Sequence, residues 1–220
     1  MGRALYVYAI VRSDVRLPPV AGHRIERVEL GGVAAAAERR TRARPLSEKT
    51  LRDQYRVIAR LHARVDAILP VRFGALVEAE ELERIVALRR RTLVAALRNV
   101  RNRSQMTVRL LGSPIEAVPE PDAITGTAYL LARVESSRPV LSPAAEAIRR
   151  SVARLVAAES IDRGRGSIAL TLHHLVAKDR LARYRAHVES AAADFGSPAS
   201  VVISGPMAPF AFVPDLWNDA

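Results

Sequence analysis

The stretch "ILPVRFG", residues 68–74, sets a proline and an arginine inside an apolar run and follows a helical pattern with no turn signal between them. Pro70 disfavours continuing a helix, because proline has no backbone N–H and pushes the residue before it towards an extended conformation. The stretch is therefore predicted to be a strand. In an extended chain Leu69, Val71 and Phe73 point to one side and Ile68, Pro70, Arg72 and Gly74 to the other. This alternation suits a strand with one covered and one partly open face, with Pro70 at its start or on a sheet edge, where no ladder donor is needed. Arg72 then has two readings. It pairs with a local carboxylate such as Glu78 or Glu80, or it is an exposed guanidinium that recognises a partner's carboxylate or backbone carbonyls.

Upstream, Ser47 to Ile68 reads as a helix: Ser47 is a good N-cap, and Leu51, Tyr55, Ile58, Leu61, Val65 and Ile68 recur at helical spacing. Downstream, Glu78 to about Arg101 carries a second apolar stripe of Leu82, Ile85, Val86, Leu93, Leu97 and Val100. Ser104 to Leu111 then alternates Met106, Val108 and Leu110 against Thr107 and Arg109, the period of a half-buried strand. At the start of the chain "LYVYAIV", residues 5–11, is rich in aromatic and β-branched types and predicts a strand. A further strand at Arg24 to Leu30 and a Gly31-Gly32 turn lead into Val33 to Glu38, where the alanines favour helix but the hairpin context favours strand.

The chain is predicted to be α+β in two small domains. Residues 1–112 form an N-terminal domain, an open and mainly antiparallel sheet with helices on one face. Residues 113–125, with three prolines and no periodicity, read as a linker. Residues 126–204 form a second α+β domain, with a short helix around Gly126 to Val134, a helix from Ser142 to about Ala158, a strand from Ser167 to Val176, a helix from Asp179 to Ala193 and a strand from Ser200 to Ile203. Residues 205–220 are a tail. In it Pro206, Pro209 and Pro214 alternate with Phe210, Phe212 and Trp217, within a chain whose aromatic content is only 5%. Proline keeps such a segment extended and aromatics supply buried area, so the tail either packs on its own domain or docks on a partner. Arg72, Phe210, Phe212 and Trp217 are the candidate partner-binding residues.

The 220 residues are 49% hydrophobic, as in an ordinary globular protein. The absence of cysteine excludes a disulfide, a thiolate metal site and a Cys nucleophile. The apolar stretch near the N-terminus is too short for a signal peptide and no run approaches a membrane helix, so a soluble intracellular protein is expected. The net charge of +11 raises nucleic acid as a partner. All but two of the 34 basic residues are arginine, the exceptions being Lys49 and Lys178, and they are scattered over helix faces beside carboxylates. A solvated surface in an Arg- and Ala-rich chain accounts for that pattern better.

Catalytic and metal patterns are weak. His173 and His174 are adjacent in a predicted strand and must face opposite sides, and His62 with Asp66 at helical spacing lacks a third ligand. The glycines of "DRGRGS", residues 162–167, precede a strand instead of opening a helix, so the dinucleotide fingerprint fails on context. Ser204-Gly205 is not the nucleophile elbow of a hydrolase. No catalytic constellation, cofactor site or metal site is expected.

Four segments carry a resemblance to a known family: "LYVYAIV" (residues 5–11), "LPVRFG" (69–74), "TGTAYLLAR" (125–133) and "SGPMAPFAFV" (204–213). In this order they make the chain similar to the GvpF/GvpL family of gas vesicle proteins. The resemblance implies a two-domain α+β protein with a ferredoxin-like element. It also implies a non-enzymatic accessory or minor structural protein, cytoplasmic and associated with the gas vesicle, that contacts the main shell protein and assists nucleation and assembly. In that reading Arg72 holds its strand in register while Leu69, Val71 and Phe73 fill the N-terminal core. A basic nucleic-acid-binding domain is the alternative.

Overall fold

The computed structural model describes residues 4–112, 141–164, 166–194 and 200–214. The chain divides into two compact units, Met1–Gln105 with Pro206–Ala220, and Met106–Gly205. The expected linker at 113–125, the short helix at 126–134 and Trp217 lie outside the described residues.

In the first unit β1 (Ala4–Arg12), β2 (Glu26–Glu29), β3 (Val33–Arg40) and β4 (Ile68–Pro70) form a sheet in the order β2-β3-β1-β4, and β5 (Leu76–Val77) also pairs with β1. Every pairing is antiparallel. The β2–β3 turn needs its two glycines: Gly31 and Gly32 sit at φ of 62° and 106°, a region that side chains with a Cβ avoid. Ala34 to Ala37 are strand despite their helical propensity, because β3 is buried on both faces between β1 and β2.

Helix α1 (Glu48–His62) starts where Ser47 predicts, with the Ser47 side chain accepting from the Thr50 N–H and the Thr50 hydroxyl accepting from the Ser47 N–H. It stops six residues before Ile68. Beyond it Asp66 turns away to pair with Arg12 at 3.0 Å and Arg101 at 2.8 Å, while its carbonyl accepts from the Asn102 N–H at 2.6 Å. The buried positions of α1 are Gln54, Val57, Ile58, Leu61 and His62; Leu51 and Tyr55, expected in the apolar stripe, face outward.

The core beneath α1 joins Val57, Ile58 and Leu61 to Tyr6, Tyr8, Ala34 and Ala36. Leu5, Val7 and Ile10, which alternate to the other side of β1, are equally buried. A strand buried on both faces needs cover on both. Helix α2 (Ala79–Val100) packs on β1, β3 and β4 with Leu82, Val86, Leu93 and Leu97 buried, and supplies the second layer. The α+β class is as the sequence predicts, with the helices shared between two faces of this sheet.

The second unit holds a four-stranded sheet in the order β7-β8-β6-β9, made of β6 (Arg103–Leu111), β7 (Val156–Arg163), β8 (Ile168–Ala177) and β9 (Val201–Met207). Its core sets Met106, Val108, Leu110, Leu170 and Leu172 against α3 (Pro143–Val152) and α4 (Leu181–Ala193) through Ile148, Val152, Tyr184 and Val188. Helix α3 is shorter than expected. The chain that reads as its last turns leaves at Ala153 and returns as β7, antiparallel to β8 with a bulge between Val156 and Ala158. Alanine and glutamate carry no strand preference, so the pairing partner decides this segment.

Candidate functional site

The "ILPVRFG" stretch is an edge strand interrupted by a bulge. Pro70 pairs opposite Ala9, and the Val71 N–H donates to the Tyr8 carbonyl at 2.9 Å. The ladder resumes with the Val7 N–H donating to the Ala75 carbonyl at 2.9 Å, so Arg72, Phe73 and Gly74 loop out between two adjacent residues of β1. Gly74 permits this with φ +87°.

Buried side chains pin the bulge. Gln54 Nε2 donates to the Val71 carbonyl at 3.1 Å, the Tyr6 hydroxyl donates to Gln54 Oε1, and the same hydroxyl accepts from the Gly74 N–H at 3.2 Å. Burial raises the pKa of Tyr6, and the Gly74 N–H and Arg44 partly offset it, so the phenol stays neutral and keeps its donor role. Because the bulge ends strict alternation, Phe73 does not follow Leu69 and Val71 into the core. It is half-buried, with its ring edge on Tyr6 at 6.5 Å. Arg72 is exposed.

The tail packs on this same unit. Ala208 is part of the core under α1, and the Ala211 N–H donates to Gln105 Oε1 at 2.8 Å. The 3-10 turn Phe210–Phe212 touches β4. Phe210 stacks on Tyr55 with centroids 6.1 Å apart and planes 10° from parallel. Leu51 lies one helical turn from Tyr55 on the outer face of α1, and Leu51, Tyr55 and Phe210 remain 44%, 48% and 38% exposed. Large apolar groups gathered on an outer face, one of them contributed by a distant segment, form a surface suited to contact. The structure thus brings Phe210 beside Tyr55, whose neighbour Gln54 holds the strand next to Arg72. Phe212 is half-buried in the same turn. Sequence reasoning missed Tyr55 and Leu51 by assigning them to the core; their i, i+4 spacing was visible, but the direction it faced was not.

A second group surrounds Tyr8. Its hydroxyl lies 3.2 Å from His23 Nδ1 and donates to Glu38 Oε2 at 3.2 Å; Arg44 reaches it at 3.4 Å and also pairs with Asp53. Burial raises the pKa of Tyr8, reinforced by the Glu38 charge. For Asp53, burial works upward but hydrogen bonds from Arg44 and His23 outweigh it, and its pKa is lowered.

In the second unit Arg149 forks onto Glu159 at 2.6–2.9 Å, Glu159 Oε1 meets His174 Nε2 at 2.9 Å, and His174 Nδ1 meets the Tyr184 hydroxyl at 2.6 Å. A carboxylate only accepts, so Nε2 carries the proton and Nδ1 accepts from the tyrosine. Burial lowers the His174 pKa although Glu159 opposes it. The imidazole is closed inside the core. His173 faces the other way, as strand alternation requires, and lies 3.1 Å from both Thr107 Oγ1 and Asp162 Oδ2.

A family model described as gas vesicle synthesis protein GvpL/GvpF matches residues 4–214. The chain is similar in fold to the crystal structure of the gas vesicle protein GvpF from Anabaena sp. PCC7120, with TM-score 0.69 and 17% identity over 97% of each chain. It is also similar to that of GvpF from Microcystis aeruginosa, with TM-score 0.70 and 16% identity over 96% of this chain and 99% of that one. No curated protein matches the sequence.

Proposed function

Because the chain belongs to the GvpL/GvpF family of gas vesicle synthesis proteins, we propose that it works by contact and not by catalysis. It binds the main gas vesicle shell protein and assists nucleation and assembly of the shell, in the cytoplasm and at the growing vesicle. The observation that carries this reading is the outward aromatic pair Tyr55 and Phe210 with Leu51 beside it. An exposed patch of this kind loses water-facing apolar area when a partner covers it. Arg72, on the neighbouring bulge, supplies a donor for partner carbonyls or carboxylates, and Phe212 and Trp217 extend the contact along the tail.

Capture of the small shell protein by the purified chain tests this at low and high salt. Deleting the tail is a poor probe, because Ala208 belongs to the core of the first unit. The double substitution Tyr55→Ser with Phe210→Ser removes the patch while leaving Ala208 in place. Wild type is expected to retain the shell protein in high salt, and the double variant to retain it at least about tenfold more weakly, the scale of truncating interface aromatics. Unchanged capture by the variant removes this face from the contact. No capture at any salt, with nucleic acid retained only at low salt, shifts the reading to the basic-domain alternative, since phosphate binding weakens steeply as salt rises.

A further inference from the structure

A hollow of about 530 Å³ opens between the end of β3, the 41–47 connection and the outer face of α1. Arg40, Arg44, Lys49, Arg52 and Arg56 line it, against only two lining carboxylates, Glu48 and Asp53. The carboxylates do not neutralise it. Glu38, outside the lining, pairs with Arg40 at 3.0 Å and also faces His23. Asp53 answers Arg44 and Arg56, Glu48 answers Arg52, and Lys49 has no ion-pair partner among the described residues, so five cations meet three carboxylates.

One of the cations is fixed in advance. Arg44 lies 5.9 Å over the Tyr6 ring, reaches the Tyr8 hydroxyl and pairs with Asp53, and its side chain is 12% exposed. A guanidinium held by packing gives up little freedom when an anion arrives, while Lys49 is exposed and Arg52 is held only by a solvent-facing pair with Glu48 from which it can turn to an anion.

From this geometry we infer that the hollow is a binding site for a run of phosphoryl groups. Converging cations from three segments, and a concave shape within the range of small-ligand sites, suit a short multiply charged anion better than an extended acidic peptide, which needs a groove. The lining contains no Phe, Tyr or Trp ring, and its one imidazole, His23, is 8% exposed and held between the Tyr8 hydroxyl and Asp53, so no face is offered to a base and the phosphates alone are read. Inorganic oligophosphate and the phosphate tail of a nucleotide share this chemistry. The site does not depend on the assembly reading, and neither Tyr55 nor Phe210 takes part in it.

Calorimetric titration of the full chain with sodium tripolyphosphate, with ATP and with a hexaglutamate peptide tests the inference. The double variant Lys49→Ala with Arg52→Ala probes the hollow; Arg91→Ala with Arg98→Ala removes the same charge from the exposed face of α2. Tripolyphosphate and ATP are expected to bind alike and more tightly than the peptide. The hollow variant is expected to bind at least about tenfold more weakly and the control less than about twofold, because two direct charge-assisted contacts outweigh a change in distant charge. Absence of phosphate binding, equal losses in the two variants, binding of ATP alone, or tighter binding of hexaglutamate each overturns it.

Discussion

In the second unit Tyr184, His174, Glu159 and Arg149 form a hydrogen-bonded chain that runs from a buried phenol and imidazole to a mutual ion pair at the surface and ends there, whereas in the first unit Tyr6 and Tyr8 pass their hydroxyls to groups that lead on to a bulge and a hollow. Tyr6 ends on a bulge that carries the exposed Arg72, and Tyr8 ends on residues that border a cationic hollow. Both arrangements satisfy buried phenols, as a core demands. They differ in what satisfaction leaves over. In the second unit the bonds hold β7 and β8 against α3 and α4. In the first unit the same kind of bond fixes a loop and a guanidinium at the surface, where a partner can meet them.

The largest test of the difference is truncation. Tyr184→Ala is expected to cost about 3–5 kcal/mol in urea unfolding, the range for a fully buried aromatic, plus the loss of a partner for His174. Phe73→Ala is expected to cost only about 1–2 kcal/mol, because its ring is half-buried on a bulge. Equal losses would erase the contrast between a closed core and an open edge.

Acidification is a finer probe. The folded pKa of His174 is lowered from 6.5 and that of Glu159 from 4.5. A depressed folded pKa means that the unfolded chain takes up the proton first, so stability is present above the ordinary value and is lost as pH falls towards the folded one. His174 therefore contributes a loss that starts near pH 6.5, and Glu159 a further loss below about 4.5. Glu159 and Tyr184 contact His174 directly, Arg149 acts on it through Glu159, and His173 acts only at a distance from the opposite face of β8. Replacing His174→Gln is expected to flatten the urea midpoint just below pH 6.5 while the lower step persists in reduced form, because Arg149 is the larger of the two partners that depress Glu159. Parallel profiles for variant and wild type would show that another group governs that window.

The smallest effect is expected for Arg72→Ala, under about 1 kcal/mol, as for exposed charged positions generally. A larger loss would mean that Arg72 helps hold the bulge itself, returning it to the register-holding role that the family resemblance implies.

Much of the fold is legible in short patterns. Ser47 before an apolar period predicts the start of α1, the stripe from Leu82 to Val100 predicts α2, and paired glycines predict the β2–β3 turn. The alternation rule alone separates His173 from His174. Each of these depends on neighbours within one or two turns of chain, which the sequence displays directly. Other features rest on partners far away. Whether Gln54 or Tyr55 faces inward depends on the Val71 carbonyl and the Tyr6 hydroxyl; whether Val156 to Arg163 is helix or strand depends on β8; and the tail reaches the first unit through Gln105, 106 residues before Ala211. The patch and the hollow consist of such long-range meetings. The sequence by itself determined most element types, the α+β class and the family, because local periodicity, capping and short motifs encode them. Only the tertiary structure decided which faces are left outward, since burial is a property of what packs on a residue and not of the residue alone.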